Sequence, residues 1–256
     1  MNSYENGSEI IRVNGINIHY SLEGQKNKPY LVLINMASHN LTCWEGLYED
    51  FLDTFQVLRF DLRGTGKSGW DKDENFSFPQ YADDLASLMD KLSISKAFVL
   101  GVAYGARTAA HFALRHLDRL DLLALFDVSL TPPVEQKEQR KLAKEARRLL
   151  KEAGKKEIDI KKYWRFYENR DAALQHHTAH EKDTDITEKL SMISKPTLVA
   201  CGRQDMNLSE AKRISKILPV SKLEIMEMTG HGSPFFRPSL VVEIVKNFYI
   251  TNKLKK

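Results

Sequence analysis

Two residues toward the end of the chain have the types and settings for proton chemistry. Asp205 closes Pro196-Thr197-Leu198-Val199-Ala200-Cys201-Gly202-Arg203-Gln204-Asp205, an apolar run followed by a polar turn. His231 lies in Thr229-Gly230-His231-Gly232-Ser233-Pro234, a glycine-flanked loop after another apolar run. A carboxylate that accepts a hydrogen bond from an imidazole fixes its tautomer and stabilises the imidazolium once the ring takes a proton. A third segment, Gly101-Val102-Ala103-Tyr104-Gly105, sits between the apolar run Ala97-Phe98-Val99-Leu100 and a helical pattern over Ala106 to Leu117. A Gly-x-Nuc-x-Gly turn between strand and helix strains its middle residue, and the glycines remove side chains that would clash. The middle residue here is Ala103, whose methyl group cannot attack anything.

The elements that must position these residues are legible in the hydrophobic pattern. Ile10 to Val13 and Ile16 to Tyr20 read as strands joined by Asn14-Gly15, a hairpin signal. Tyr30 to Ile34, Gln56 to Phe60, Ala97 to Leu100, Leu122 to Phe126, Thr197 to Cys201 and Leu223 to Met226 supply six more. Apolar residues recur at helical spacing over Tyr81 to Leu92, Phe112 to Leu117 and Val241 to Phe248. Antiparallel strands followed by alternating β and α predict a mostly parallel eight-stranded sheet with helices on both faces. Between Asp127 and Pro196 the alternation stops. Thr131-Pro132-Pro133 marks the departure, and Leu142, Ala146, Leu149, Leu150 and Ala153 form an apolar stripe on a charged helix ending at Gly154. The aromatic segment Tyr163-Trp164-Arg165-Phe166-Tyr167 follows. The organisation expected is a core of residues 1–130 and 194–256 with a helical cap over 131–193.

Composition narrows the function classes. The 256 residues are 42% hydrophobic and 28% charged, an ordinary globular balance. The net charge of +4 is too mild to argue for nucleic acid, and the excess is local. Val134 to Arg170 holds thirteen Lys/Arg against seven Asp/Glu, a solvated helix face or one turned to an acidic partner. No apolar run reaches the roughly 18 residues of a membrane span, and no signal peptide is visible. Cys43 and Cys201 make no disulfide framework and read as buried thiols, which fits a reducing cytoplasm. The expected partner is a small molecule, with no nucleic acid, no membrane and no cofactor, for a monomer or homodimer.

With Asp61-Leu62-Arg63-Gly64-Thr65-Gly66-Lys67-Ser68 added, the motifs around residues 61–68, 101–105, 196–205 and 229–234 stand in an order that resembles the α/β-hydrolase fold over nearly the whole chain. The resemblance implies the chain order nucleophile, Asp, His, met here by position 103, Asp205 and His231. It implies an oxyanion hole from the N–H of Tyr104 and an N–H of the loop after the third strand, where Ala37 stands. That loop, Asn35-Met36-Ala37-Ser38-His39-Asn40-Leu41-Thr42-Cys43-Trp44, resembles enol-lactonases of aromatic degradation, although Met36 replaces a usually small residue and His39 a frequent Gly. Asn35, Met36, Ser38, His39 and Trp164 are the expected pocket residues, and Tyr104 is expected either to turn its ring into the pocket or to pack with no chemical role.

Other polar residues have structural readings. Asp127 ends the sixth strand, where some relatives place an acid, and is expected to cap. Asp61 and Arg63 are expected to brace the loop behind the site. His176 and His180 have the i, i+4 spacing of a helical metal pair, but no third ligand is evident and no metal is expected. The scaffold implied is a hydrolase of a small carboxylic ester or lactone. Ala103 leaves three readings open: a serine hydrolase exchanged to alanine, an enzyme of lyase or cofactor-independent oxygenase type in which the Asp205–His231 dyad is the general base, or a non-catalytic ligand-binding homologue.

Overall fold

The computed structural model describes residues 7–70, 76–130, 136–156 and 170–254. Eight strands form one sheet: β1 (Ser8–Val13), β2 (Ile16–Glu23), β3 (Tyr30–Ile34), β4 (Gln56–Phe60), β5 (Ala97–Val102), β6 (Leu120–Phe126), β7 (Thr197–Gln204) and β8 (Ser221–Gly230). Their order is β1-β2-β4-β3-β5-β6-β7-β8. β1 and β2 pair antiparallel, as do β2 and β4, and every later neighbour is parallel. The β1–β2 turn holds Asn14 at φ 46° and Gly15 at φ 83°, the two positive values that a two-residue hairpin of matching twist requires.

Side chains alternate across the sheet, and both faces are covered. Leu31, Leu33, Phe98, Leu100, Leu198 and Ala200 face Trp44, Phe51, Phe55 and Phe248. Val32, Ile34, Val99, Leu123 and Val199 face the opposite layer, with Leu85, Met89, Ala109 and Phe112. Helix α1 (Phe78–Lys91) starts at Ser77, whose hydroxyl accepts from the Gln80 N–H at 3.2 Å. Helix α2 (Tyr104–Arg115) follows β5, α5 (Leu208–Ile217) follows β7, and the short α6 (Ser233–Phe236) and α7 (Pro238–Lys253) follow β8. The eight strands and the mixed antiparallel-then-parallel pairing are as expected, although β8 runs well beyond Leu223–Met226 at both ends. Helix α5 lies in a stretch that the periodicity left unassigned.

Among the described residues, two further α-helices lie between β6 and β7: α3 (Gln136–Glu152) and α4 (Arg170–Lys182). The stripe on α3 buries Ala146 and Leu150 against Phe236, with Ala143 and Met228 beside them. α4 lies against α1 and α2. His176 packs on Tyr81 with ring centroids 5.3 Å apart, and Asp183, just past α4, pairs with Arg107 and His111 of α2. The aromatic segment with Trp164, and Thr131-Pro132-Pro133, fall outside the described residues.

Candidate active site

The strained turn is present. Ala103 holds φ 53° and ψ −109° between β5 and α2, and it is the one residue of Gly101 to Gly105 that is not buried. The glycines on either side are required by packing. A Cβ at Gly101 would strike the Gly105 backbone and meet Ala106 N at 2.6 Å, and one at Gly105 would meet Asn35 O at 2.5 Å. A non-glycine residue at such angles stores on the order of 1–3 kcal/mol. The Ala103 N–H donates to Phe126 O at 2.9 Å, which fastens the turn to the end of β6.

The next residue along β6 is Asp127, itself at φ 51° and completely buried. Its N–H donates to Ala200 O at 2.8 Å, and its Oδ2 accepts from the Gly232 N–H at 2.9 Å and the Ser233 N–H at 2.6 Å. The expected capping role is what the hydrogen bonds give: Asp127 holds the loop that carries the histidine. His231 donates from Nδ1 to Asp205 Oδ2 at 2.9 Å. The other oxygen of Asp205 accepts from the Asn207 N–H at 3.0 Å and from Gln139 Nε2 at 3.4 Å. A network therefore runs from Ala103 through Phe126 and Asp127 to the His231 loop and on to Asp205.

The charges in this network are mutually adjusted. Desolvation pulls the His231 imidazole down, but the Asp205 charge, the Asp205 hydrogen bond and the Asp127 charge outweigh it and raise its pKa to about 9. Burial pushes Asp205 up, yet the charge and hydrogen bond of His231, with help from Asn207 and Gln139, leave it below its ordinary value. Asp127 moves the other way, raised by burial and by the neighbouring Asp205 charge. The arrangement presents a protonatable ring, a fixed tautomer and a buried counter-charge.

The loop after β3 reaches the same end of the sheet. His39 stacks on Phe235 of α6 with centroids 5.8 Å apart, and its Nδ1 lies 2.7 Å from Ala37 O. Met36 Cε lies 3.9 Å from where a Cβ on Gly232 would stand, which puts Met36 beside the histidine loop. Ala37 is exposed, and Ser38 takes φ 64°. Asn35 differs from expectation. It is fully buried, its Nδ2 donates to Phe60 O at 2.9 Å, and its Oδ1 accepts from Trp44 Nε1 at 2.6 Å. Its amide is used in holding the loop to β4, which corrects its assignment to the pocket. Tyr104 opens α2, where first-turn N–H groups have no helical acceptor. Its ring packs with Phe78, Tyr81, His176 and His180, and its hydroxyl donates to His176 O at 3.1 Å and lies 3.0 Å from the Tyr81 hydroxyl.

Behind the site the bracing residues behave as read. Asp61 accepts from the Leu41 N–H at 2.7 Å and the Lys67 N–H at 2.9 Å and pairs with His19. Arg63 forms two parallel bonds with Asp84, each 2.9 Å. The ring of His176 points into this structure, with Nε2 2.6 Å from Arg63 O, so it does not face outward with His180 as a metal pair would. Gln139 is the site residue that sequence reasoning missed, since nothing in a charged helix marks one glutamine. Asn207 was findable, as an Asp-x-Asn turn in which the aspartate accepts from the backbone two residues on.

A strained turn after β5, an acid after β7, a histidine after β8 and this strand order together define the α/β-hydrolase fold. Residues 29–145 match the family model described as alpha/beta hydrolase fold. The chain has the α/β-hydrolase fold. A Caulobacter sp. (strain K31) protein carrying the name carbamate hydrolase RutD is 28% identical over 240 residues, covering 81% of this chain and 85% of its own. A pimeloyl-[acyl-carrier protein] methyl ester esterase from Aeromonas hydrophila subsp. hydrophila is 24% identical over 89% of this chain and 98% of its own. Among solved structures, the enol-lactonase from Burkholderia xenovorans LB400 superposes with a TM-score of 0.77 at 24% identity, covering 94% of this chain and all of that one. No helix among the described residues is long and apolar enough to cross a membrane.

Proposed function

We propose that this chain carries the scaffold of a hydrolase for a small carboxylic ester or lactone, with position 103 as the nucleophile site. The carrying observation is the 2.9 Å bond from His231 Nδ1 to Asp205, in a chain that keeps φ 53° at Ala103. A backbone strain of this kind serves an alanine nothing, whereas in a strand-to-helix nucleophile turn it exposes the hydroxyl of the middle residue. In this scheme His231 is general base and then general acid, and Asp205 orients it. The N–H groups of Ala37 and Tyr104 form the oxyanion hole, and Met36, Ser38 and His39 line the pocket. The names of the relatives (carbamate hydrolase, methyl ester esterase, enol-lactonase) share an acyl carbon bearing a heteroatom leaving group, which supports the substrate class. No cofactor enters the scheme. Two buried unpaired thiols, Cys43 and Cys201, fit a cytoplasmic setting.

The test is paired turnover of a panel of activated esters and lactones by this chain and by its Ala103→Ser form. Removing the nucleophile of a serine protease costs on the order of a million-fold in kcat, so turnover confined to the serine form is expected. Equal rates for the two forms, or an acyl-enzyme trapped on the alanine form, would sink the assignment of position 103.

A further inference from the structure

Asp127 is used by none of the steps above, although it is buried at the centre of the site. Its Oδ2 takes both backbone N–H groups that follow His231, at 2.9 Å from Gly232 and 2.6 Å from Ser233. Its Oδ1 is buried with no partner that satisfies hydrogen-bond geometry, a costly arrangement for a group with only a capping task. One oxygen of each of Asp127 and Asp205 and the Cys201 sulfur lie within 4.8 Å of one another. We propose that Asp127 is a positioning residue with two effects on His231: it pins the histidine loop through Gly232 and Ser233, and its charge supports the imidazolium alongside Asp205.

The groups around Asp127 and Asp205 come from three segments. Asp205 and Cys201 stand on β7 and its turn, His231 and Ser233 on the loop into α6, and Gln139 of α3 reaches the far side of Asp205. A carboxylate so close to a second carboxylate is disfavoured, and the His231 charge together with the N–H groups bonded to each acid offsets the repulsion. Ionisation of the two acids and the ring is therefore linked, and they titrate as a set. The same cluster is poorly suited to a metal. Burial pushes the Cys201 thiol well above its ordinary value, and the Asp205 oxygens are already spent on His231, Asn207 and Gln139. The proposal concerns the chain with Ala103 as it stands and does not depend on the hydrolase reading.

The experiment is an NMR titration of the His231 ring, followed through its ring nitrogens from pH 5 to 10 in histidine-labelled protein. The parent is compared with Asp127→Asn, Asp127→Ala and Asp205→Asn. Asparagine keeps an oxygen for the two loop N–H groups and removes only the charge, so a purely capping Asp127 would leave the titration unmoved. The expected result is a proton affinity of His231 weakened about tenfold or more in Asp127→Asn, with the downfield Nδ1–H signal of the Asp205 bond retained. Asp127→Ala, which also frees the loop, is expected to lose that signal to exchange with water. Thermal unfolding establishes that each variant is folded, and should Asp127→Ala fail to fold, Asp127→Asn decides the charge effect. An unchanged titration in Asp127→Asn overturns the proposal, as does a folded Asp127→Ala that keeps the Nδ1–H signal.

Discussion

Gly105 lies so close to Ile34 that no side chain fits between them: a Cβ there would run into the Ile34 carbonyl oxygen and meet Ile34 C at 2.8 Å. The contact joins the first turn of α2 to the end of β3, so the Ala103 turn and the loop bearing Ala37 are set against each other by backbone alone. Because backbone cannot swing aside as a flexible side chain can, Gly105→Ala is expected to cost at least the upper part of the roughly 1–3 kcal/mol seen for overpacking. Urea unfolding checks this, with Gly154→Ala as the comparator. At Gly154 there is open space and only a positive φ of 65°, for which about 1 kcal/mol is expected.

If Ala103→Ser restores turnover, its pH profile reports the ring. Only neutral His231 can accept the serine proton, and the carboxylates hold its pKa near 9. Activity is therefore expected to rise through neutrality toward a midpoint nearer 9 than the ordinary 6.5 of histidine. His231→Gln in the serine background should lose on the order of 10⁴-fold or more in kcat. A rate already flat above pH 7 would contradict the raised pKa.

Arg63 and Asp84 form a buried two-bond ion pair, and Asp84 also accepts from Asn14 and Gln80, each at 2.9 Å. Removing one partner strands the other charge away from water. Asp84→Ala is expected to cost about 3–5 kcal/mol, and the double change Arg63→Met with Asp84→Leu much less, since it leaves no buried charge and the exposed Asn14 and half-buried Gln80 can turn to water. Urea midpoints of the three proteins measure the difference.

Acid should weaken the fold through two histidines. Burial lowers His176 to about 4, and burial with the nearby Arg107 charge lowers His180 to about 4, against 6.5 when unfolded. Above 6.5 neither state takes up a proton at these rings, and the stability is complete. Below it the unfolded chain binds protons that the folded one refuses, so stability falls down to about 4, by up to about 1.4 kcal/mol per pH unit for the buried His176 ring and by less for the more exposed, solvent-screened His180. His176→Gln is expected to flatten the slope of unfolding free energy between pH 6.5 and 4.5. An unaltered slope would count against a buried neutral ring.

What the sequence disclosed was what the backbone demands locally. Asn14-Gly15 needs two positive φ values, Gly101 and Gly105 need the absence of a Cβ, and alternating apolar runs need a covered sheet. Asp205 and His231 were legible because their loops follow strands that had already been recognised. Directions of side chains were not. Asn35 stands at a strand end facing the site and turns its amide back to Phe60 and Trp44, a choice made by tertiary partners 9 and 25 residues away. The apolar stripe on α3 was visible, but not that it would settle on Phe236 and bring Gln139 to Asp205. The assembly of Tyr81, Tyr104 and His176 joins three distant segments and leaves no local signal.

The ion pairs of Asp183 with Arg107 and His111 have a consequence for motion. Arg107 and His111 are only 1% and 5% exposed, on the same helix that begins at the Ala103 turn. To lift the end of α4 away from α2 would take the Asp183 carboxylate from the buried Arg107 guanidinium and the buried His111 ring, so that end unfolds with the body of the protein and not ahead of it. Hydrogen exchange at the last turn of α4 should accordingly be as slow as in the middle of α2. The cooperative boundary then falls before Asp183, inside the stretch that the alternation of strands and helices would have marked off as a separate unit.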